Sequence, residues 1–273
     1  KKVFYNSGGF AMKRKNKVER FEIIDRCLFF RSSDNENILI IGDVHLGYED
    51  ALNKAGINIP RTQKQDTLSD LKKILEEVRK RYDNINKIVL LGDVKHNFGF
   101  VSSDEFNDFY ELVELFNKYL LRNGEIVIIK GNHDNILEPV IKDYCNVLLV
   151  ENYKKDGILF IHGDKKSIDN NYLGILDKNI NLVVTGHFHP AVFLKEDVKK
   201  ERYKCFIYGR ASQYKKKFLI VPSFFPLIEG TSILSEGDVR KLFSEKDVDN
   251  INVYILSGDF NDVYDFGKLK YLR

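Results

Sequence analysis

An aspartate and a histidine two residues apart make half of a metal site, and Asp43 and His45 stand so placed in the stretch ILIIGDVHLG at residues 38–47. In extended backbone their side chains point to the same side. Alone, such a pair more often serves a turn or a surface hydrogen bond. The pattern returns, however, at the ends of four further apolar runs: Asp93 after KIVLLG, Asn132 and His133 after EIVIIKG, His162 after ILFI, and His187 and His189 after NLVVTG. Of the six histidines in the chain, five belong to this set, and the sixth, His96, follows Asp93 by three residues. Two carboxylates, an amide oxygen and several imidazoles suit divalent ions such as Mn, Fe or Zn. The set is too large for one ion that must keep positions open for water and substrate, which argues for two.

Such residues converge only if the strands that carry them end at one rim, as in α/β sheets, where ligand sites form beyond the carboxyl ends of strands. The run at 38–41 reads as a strand buried on both faces, preceded by a hairpin built from 27–31 and 37–41. Apolar residues at helical spacing predict an amphipathic helix over 64–82. A second helix is expected from a capping box of Ser102 and Glu105, through Phe106, Phe109, Leu112, Val113, Phe116 and Leu120, to a terminal Gly124. Strands are expected at 87–91, 125–129, 146–150, 158–161 and 181–185, then, with little helix between them, at 191–194, 203–208, 217–221 and 253–256. Residues 1–25 carry a Gly8-Gly9 turn signal and no assignable element. This order predicts two sheets packed face to face with helices outside, in one layered domain over 1–273: a motif-bearing part at 26–190 and strands completing the second sheet at 191–273.

The chain has 273 residues and a net charge of +3, with 43 basic against 40 acidic side chains, so no overall field points to a polyanion. The basic clusters at 13–17, 199–204 and 215–217 read as solvated faces, as does Lys95. Cys27, Cys145 and Cys205 are scattered, which argues for a reduced, cytoplasmic setting and against thiolate ligation. Neither a membrane span nor a secretory signal is visible.

In order, GDVHLG, LGDVKH, KGNHD, the histidine of IHGD, and TGHFHP resemble the five signature blocks of the calcineurin-like metallophosphoesterases, over residues 38–190. In detail they look most like small archaeal SbcD-related phosphoesterases and the phosphoesterases associated with bacterial DNA ligases. The resemblance implies a four-layer αββα sandwich of two mixed sheets flanked by helices. It implies that Asp43, His45 and His189 hold one metal, that Asn132, His162 and His187 hold a second, and that Asp93 bridges them. The ions would be manganese first, with iron, zinc, nickel or cobalt as alternatives. His133 would act on the substrate rather than on metal, stabilising phosphoryl oxygens or protonating the leaving group. His96 and Asp164 are read as either supporting the site or touching substrate, or as local hydrogen-bonding groups, and Asp134 as a cap for the segment after it.

The activity implied is hydrolysis of a phosphodiester by a metal-bridging hydroxide, the substrate being a phosphate ester, a nucleotide or a nucleic acid. A nuclease acting on DNA or RNA ends is the alternative, although the repair nucleases of this kind carry a larger insertion before the fourth block and a DNA-contacting cap after the fifth. A non-catalytic metal-binding scaffold is an alternative of another class, and retention of every ligand type together with His133 counts against it.

Overall fold

The computed structural model describes residues 13–57, 62–96, 103–196, 199–228, 230–233, 239, 242–258, 260 and 262–272. The strands are β1 (Lys13–Arg14), β2 (Lys17–Val18), β3 (Phe21–Ile24), β4 (Cys27–Arg31), β5 (Asn37–Ile41), β6 (Ile85–Leu90), β7 (Leu120–Ile129), β8 (Val147–Val150), β9 (Tyr153–Lys155), β10 (Ile158–Ile161), β11 (Leu182–Thr185), β12 (Pro190–Glu196), β13 (Lys199–Ala211), β14 (Lys216–Ile220), β15 (Thr231–Ser232), β16 (Asn252–Leu256) and β17 (Val263–Lys268). Between them lie helices α1 (Tyr48–Lys54), α2 (Gln63–Tyr82), α3 (Ser103–Asn117), α4 (Glu138–Ile141), α5 (Lys165–Asn170), α6 (Tyr172–Leu176) and α7 (Glu245–Val248).

Strands β2 to β8 form a seven-stranded sheet in chain order, antiparallel up to β5 and parallel from β5 to β8. The second, ten-stranded sheet runs β1-β17-β16-β13-β14-β11-β10-β9, with β12 added beside β13 and β15 beside β12. Its strands β10, β11 and β14 are parallel, and the rest pair antiparallel apart from β12 with β15.

Alternation along β5 explains the layering. Leu39 and Ile41 face α2 and α3, packing with Leu71, Ile74, Leu75 and Phe116. Ile38 and Ile40 face the other sheet, packing with Phe160, Val184, Phe206 and Leu219. On the far face of the second sheet, Leu159, Val183 and Phe218 pack with Ile175 of α6 and Val248 of α7. The order is helices, sheet, sheet, helices, as expected. Strand β5 is therefore buried between a helical layer and a second sheet.

Helix α3 ends at Asn117, short of the Gly124 terminus expected from sequence, and Leu120 and Gly124 lie within β7. Leu120 pairs with Ile85 of β6, so sheet pairing takes the residue that helical spacing would have claimed. Ser102 of the expected capping box and the Gly8-Gly9 signal lie outside the described residues. The segment before β4 is not featureless: β1 pairs with β17 in one sheet, whereas β2 pairs with β3 in the other. Among the described residues, no helix is long and apolar enough to cross a membrane.

Candidate metal centre

Strands β5, β6 and β7 run parallel and in register, Ile41 opposite Leu90 and Leu90 opposite Ile128, so their carboxyl ends finish level. The same holds in the second sheet for Ile161, Thr185 and Ile220. The chain exits on both sheets meet at one rim and bring Asp43, His45, Asp93, Asn132, His133, His162, His187 and His189 together. Glycine is needed there because ligands pack directly on the backbone. A Cβ on Gly131 would lie 2.3 Å from an Asp93 carboxylate oxygen, and one on Gly186 would lie 2.6 Å from an Asp43 oxygen.

The backbone at the rim is not extended. His45, Asp93, His187 and His189 have φ of 49°, 49°, 62° and 42°, in the left-handed region that non-glycine residues avoid. The extended geometry expected for the Asp43 and His45 pair is thus replaced by sharp local turns, and the His187 and His189 pair shares them. Such strain persists only where surrounding contacts hold it in place, and it collects at functional sites.

Asp93 is the hub. Its Oδ2 lies 3.5 Å from His162 Nε2, 3.8 Å from His133 Nε2 and 3.9 Å from His45 Nε2. Its Oδ1 accepts the His133 backbone N–H at 2.9 Å. Asp43 takes the His187 backbone N–H at 3.1 Å on each oxygen and faces His189 Nε2 at 3.4 Å. His162 donates from Nδ1 to the Leu91 carbonyl at 2.8 Å, which turns Nε2 toward Asn132 Oδ1, 3.0 Å away.

Among the described residues, three trios have ligand atoms all within 4.8 Å of one another: Asp43 with His45 and His189, Asp93 with His162 and His187, and His45 with His96 and His133. These trios, with Asn132 beside the second, could hold metal. The donor set fits an ion: Nε2 of His45 and of His189 are both buried with no hydrogen-bond partner, and each faces a carboxylate.

Electrostatics agree. Burial would raise the Asp43 and Asp93 carboxyls, but the surrounding imidazoles, His189 first for Asp43 and His162 for Asp93, outweigh it and both stay below the ordinary range. Burial alone would lower His162, yet its hydrogen bond to Asp93 and the two carboxylate charges lift it to about 10. His45 is brought down to about 3, chiefly by burial, and His187 is also lowered by burial and by His162. The pair of buried carboxylates thus calls for positive charge at its centre, and His45 and His187 present neutral nitrogen lone pairs to it.

His96 is drawn into the site. Its ring stacks on His133 with centroids 5.1 Å apart, its Nδ1 is 3.4 Å from His45 Nδ1, and its carbonyl accepts from His133 Nδ1. Asp164 instead caps α5, accepting from the Lys166 and Ser167 N–H groups at 3.2 and 3.1 Å.

Two further expectations fail. Asp134 caps no helix, since the residue before α4 is Leu137; fully buried, it accepts from Gly131, Val94 and Lys95 N–H groups and ties the β6 and β7 exits together. Burial and the Asp93 charge raise its pKa to about 6. Lys95 is 3% exposed, because residue 95 bridges to Leu46 and carries the backbone inward.

Sequence reasoning also missed a sixth strand end. Beyond β14, Ser223 Oγ and the N–H groups of Phe224 and Phe225 all donate to the Asp43 carbonyl, at 3.2, 3.0 and 3.3 Å. Lys204 Nζ in turn donates to the carbonyls of Ser223, at 2.8 Å, and Phe225. The signal was there, an apolar run ending in Pro-Ser, but it bears no metal-competent side chain.

A family model described as calcineurin-like phosphoesterase matches residues 36–259. The chain belongs to that family. It is thereby a hydrolase acting on ester bonds, of a metal-dependent kind whose substrates are phosphate esters. No curated protein sequence matches the chain. Among solved structures, the nuclease MPE of Pseudomonas putida superimposes with a TM-score of 0.57 at 15% identity, over 93% of this chain and 99% of that one, a likeness of fold. An archaeal phosphodiesterase matches at 18% identity and TM-score 0.32, over 67% of this chain and 98% of that one. Zinc-bound Vps29 of Entamoeba histolytica matches at 16% and 0.34, over 84% and 99%. The last two superpositions are too loose to carry an argument.

Proposed function

We propose that this metallophosphoesterase is a dinuclear phosphodiesterase acting as a single domain, in which Asp43, His45 and His189 hold one divalent ion, Asn132, His162 and His187 a second, and Asp93 is shared. Manganese is the first choice of ion, with iron, zinc, nickel or cobalt able to use the same mixed nitrogen and oxygen donors. The observation that carries this reading is the pair of buried, unpartnered Nε2 atoms on His45 and His189, set against carboxylates that also face His162. When bound, such ions acidify water and neutralise phosphoryl charge.

The chain's own residues do the rest. Asp93 and Asp43 fix the imidazoles in place, and the Leu91 carbonyl holds the His162 ring so that Nε2 points inward. His133 donates its Nδ1–H to the His96 carbonyl and points Nε2 toward Asp93, 3.8 Å away; as the imidazolium, protonated on both nitrogens, it gives the Nε2 proton to the departing alkoxide and is left as the neutral ring. Hydrolysis of bis-p-nitrophenyl phosphate with each of these metals tests the reading. Absence of turnover in a protein carrying two ions per chain overturns it.

A nuclease is the second reading. The Pseudomonas putida nuclease superimposes over 93% of this chain and 99% of its own length, and that likeness of fold is what favours this reading. Labelled single-stranded and duplex DNA, compared with cyclic nucleotides under the same metal, separate the two.

A further inference from the structure

Beside the centre lies a cavity of about 460 Å³, lined by Gly163, Lys165, Ile168, Asp169, His187, Phe188, Tyr214 and Leu242. That volume falls in the range of small-molecule sites, roughly 300–1,000 Å³. One end is His187, part of the trio with Asp93 and His162. Phe188, Ile168, Leu242 and Tyr214 add apolar and aromatic surface to the lining, and the Tyr214 ring is braced against Phe218 with centroids 5.5 Å apart. Exposed Lys165 and Asp169 supply one cation and one acceptor at the rim. A cavity of similar size beside α1 is lined by Glu49, Asp50, Asp108 and Glu111 with Lys64, whose ammonium is already paired with Asp108 and Glu111; it touches none of the proposed ligands, and its excess of carboxylates would repel a phosphate ester.

We infer that the cavity beside His187 receives the base of a nucleotide whose phosphate lies at the metal centre, Tyr214 providing the stacking face and Phe188, Ile168 and Leu242 the apolar walls. Aromatic stacking tolerates every base, and Asp169 can accept from an exocyclic amine. The inference rests on the proposed phosphoesterase site for the position of the phosphate, but its test is binding.

Calorimetric titration of the manganese-loaded protein with 5′-AMP and with ribose 5-phosphate should show AMP bound about tenfold or more tightly. The preference should fall below twofold in Tyr214→Ala and in Ile168→Ser, and should return in Tyr214→Phe, which keeps the ring. A tetraadenylate arm tells a free mononucleotide from the terminal nucleotide of a chain by which of the two binds more tightly. Equal affinities for AMP and ribose 5-phosphate, or a preference that survives both variants, overturn the inference. Hydrolysis of diesters without an AMP preference defeats the base pocket alone, whereas an AMP preference lost in the variants, with no hydrolysis under any metal, supports the pocket and defeats the phosphodiesterase reading.

Discussion

The two sheets bring unlike chemistry to one rim. The first carries both carboxylates, Asp43 and Asp93, with His45, Asn132 and His133, whereas the second brings His162, His187 and His189. Each half depends on the other for its hydrogen bonds: the His187 N–H from the second sheet goes to Asp43, and the Leu91 carbonyl of the first receives His162. Buried acids without the imidazoles, or imidazoles without the acids, would meet an uncompensated desolvation cost. The site is a property of the seam and of neither sheet alone.

The largest effect expected is at the residue that faces ligands from both sheets. Asp93→Asn removes a charge shared by His45, His133 and His162, and should cost roughly a thousandfold or more in kcat together with loss of bound metal, read by steady-state kinetics and metal analysis. His133→Ala sharpens the contrast, because this residue sits at the same rim without a proposed ligand role. Turnover should fall by roughly two orders of magnitude or more while both ions remain bound; loss of metal together with activity would make His133 a ligand.

The seam itself can be loosened from behind. Phe160→Ala opens a cavity between the sheets and should lower stability by about 3–5 kcal/mol in denaturant unfolding. Phe116→Ala, under α3, should cost a similar amount with less effect on metal affinity, since its cluster lies on the helix-covered face of the first sheet rather than in the seam.

The smallest effect concerns Lys204, which binds the segment behind Asp43. Burial, with the Arg26 charge, lowers its pKa from 10.5 to about 7. Between these values the unfolded chain holds a proton that the folded protein has released, so this residue's contribution to stability rises as pH climbs from about 7 toward 10.5. The slope of unfolding free energy against pH in that window should therefore be more positive in the parent than in Lys204→Met, and equal slopes would refute the lowered pKa.

Much of this is legible in the sequence. Strands running into ligand-type residues announced the site because β5, β6, β7, β10 and β11 each carry an apolar run next to the carboxyl end, and that pattern depends on local residues alone. The Leu120 and Gly124 assignment went astray for the complementary reason: helical spacing is local, whereas pairing with Ile85 is set by a partner 35 positions away. Asp134 and Lys95 were misread because nothing adjacent to them in the chain tells which distant backbone groups surround them.

By itself, then, the sequence determined which side chains stand at strand ends, the two-sheet layering and the family to which those blocks belong, since periodicity and residue type carry that information. Only tertiary structure decided the left-handed turns at His45, Asp93, His187 and His189, the burial of Asp134, the clamp of Ser223 to Phe225 on Asp43, and the cavity beside His187. Each of these depends on distances across the seam between elements far apart in the chain, where packing and hydrogen bonding, not local preference, set the geometry.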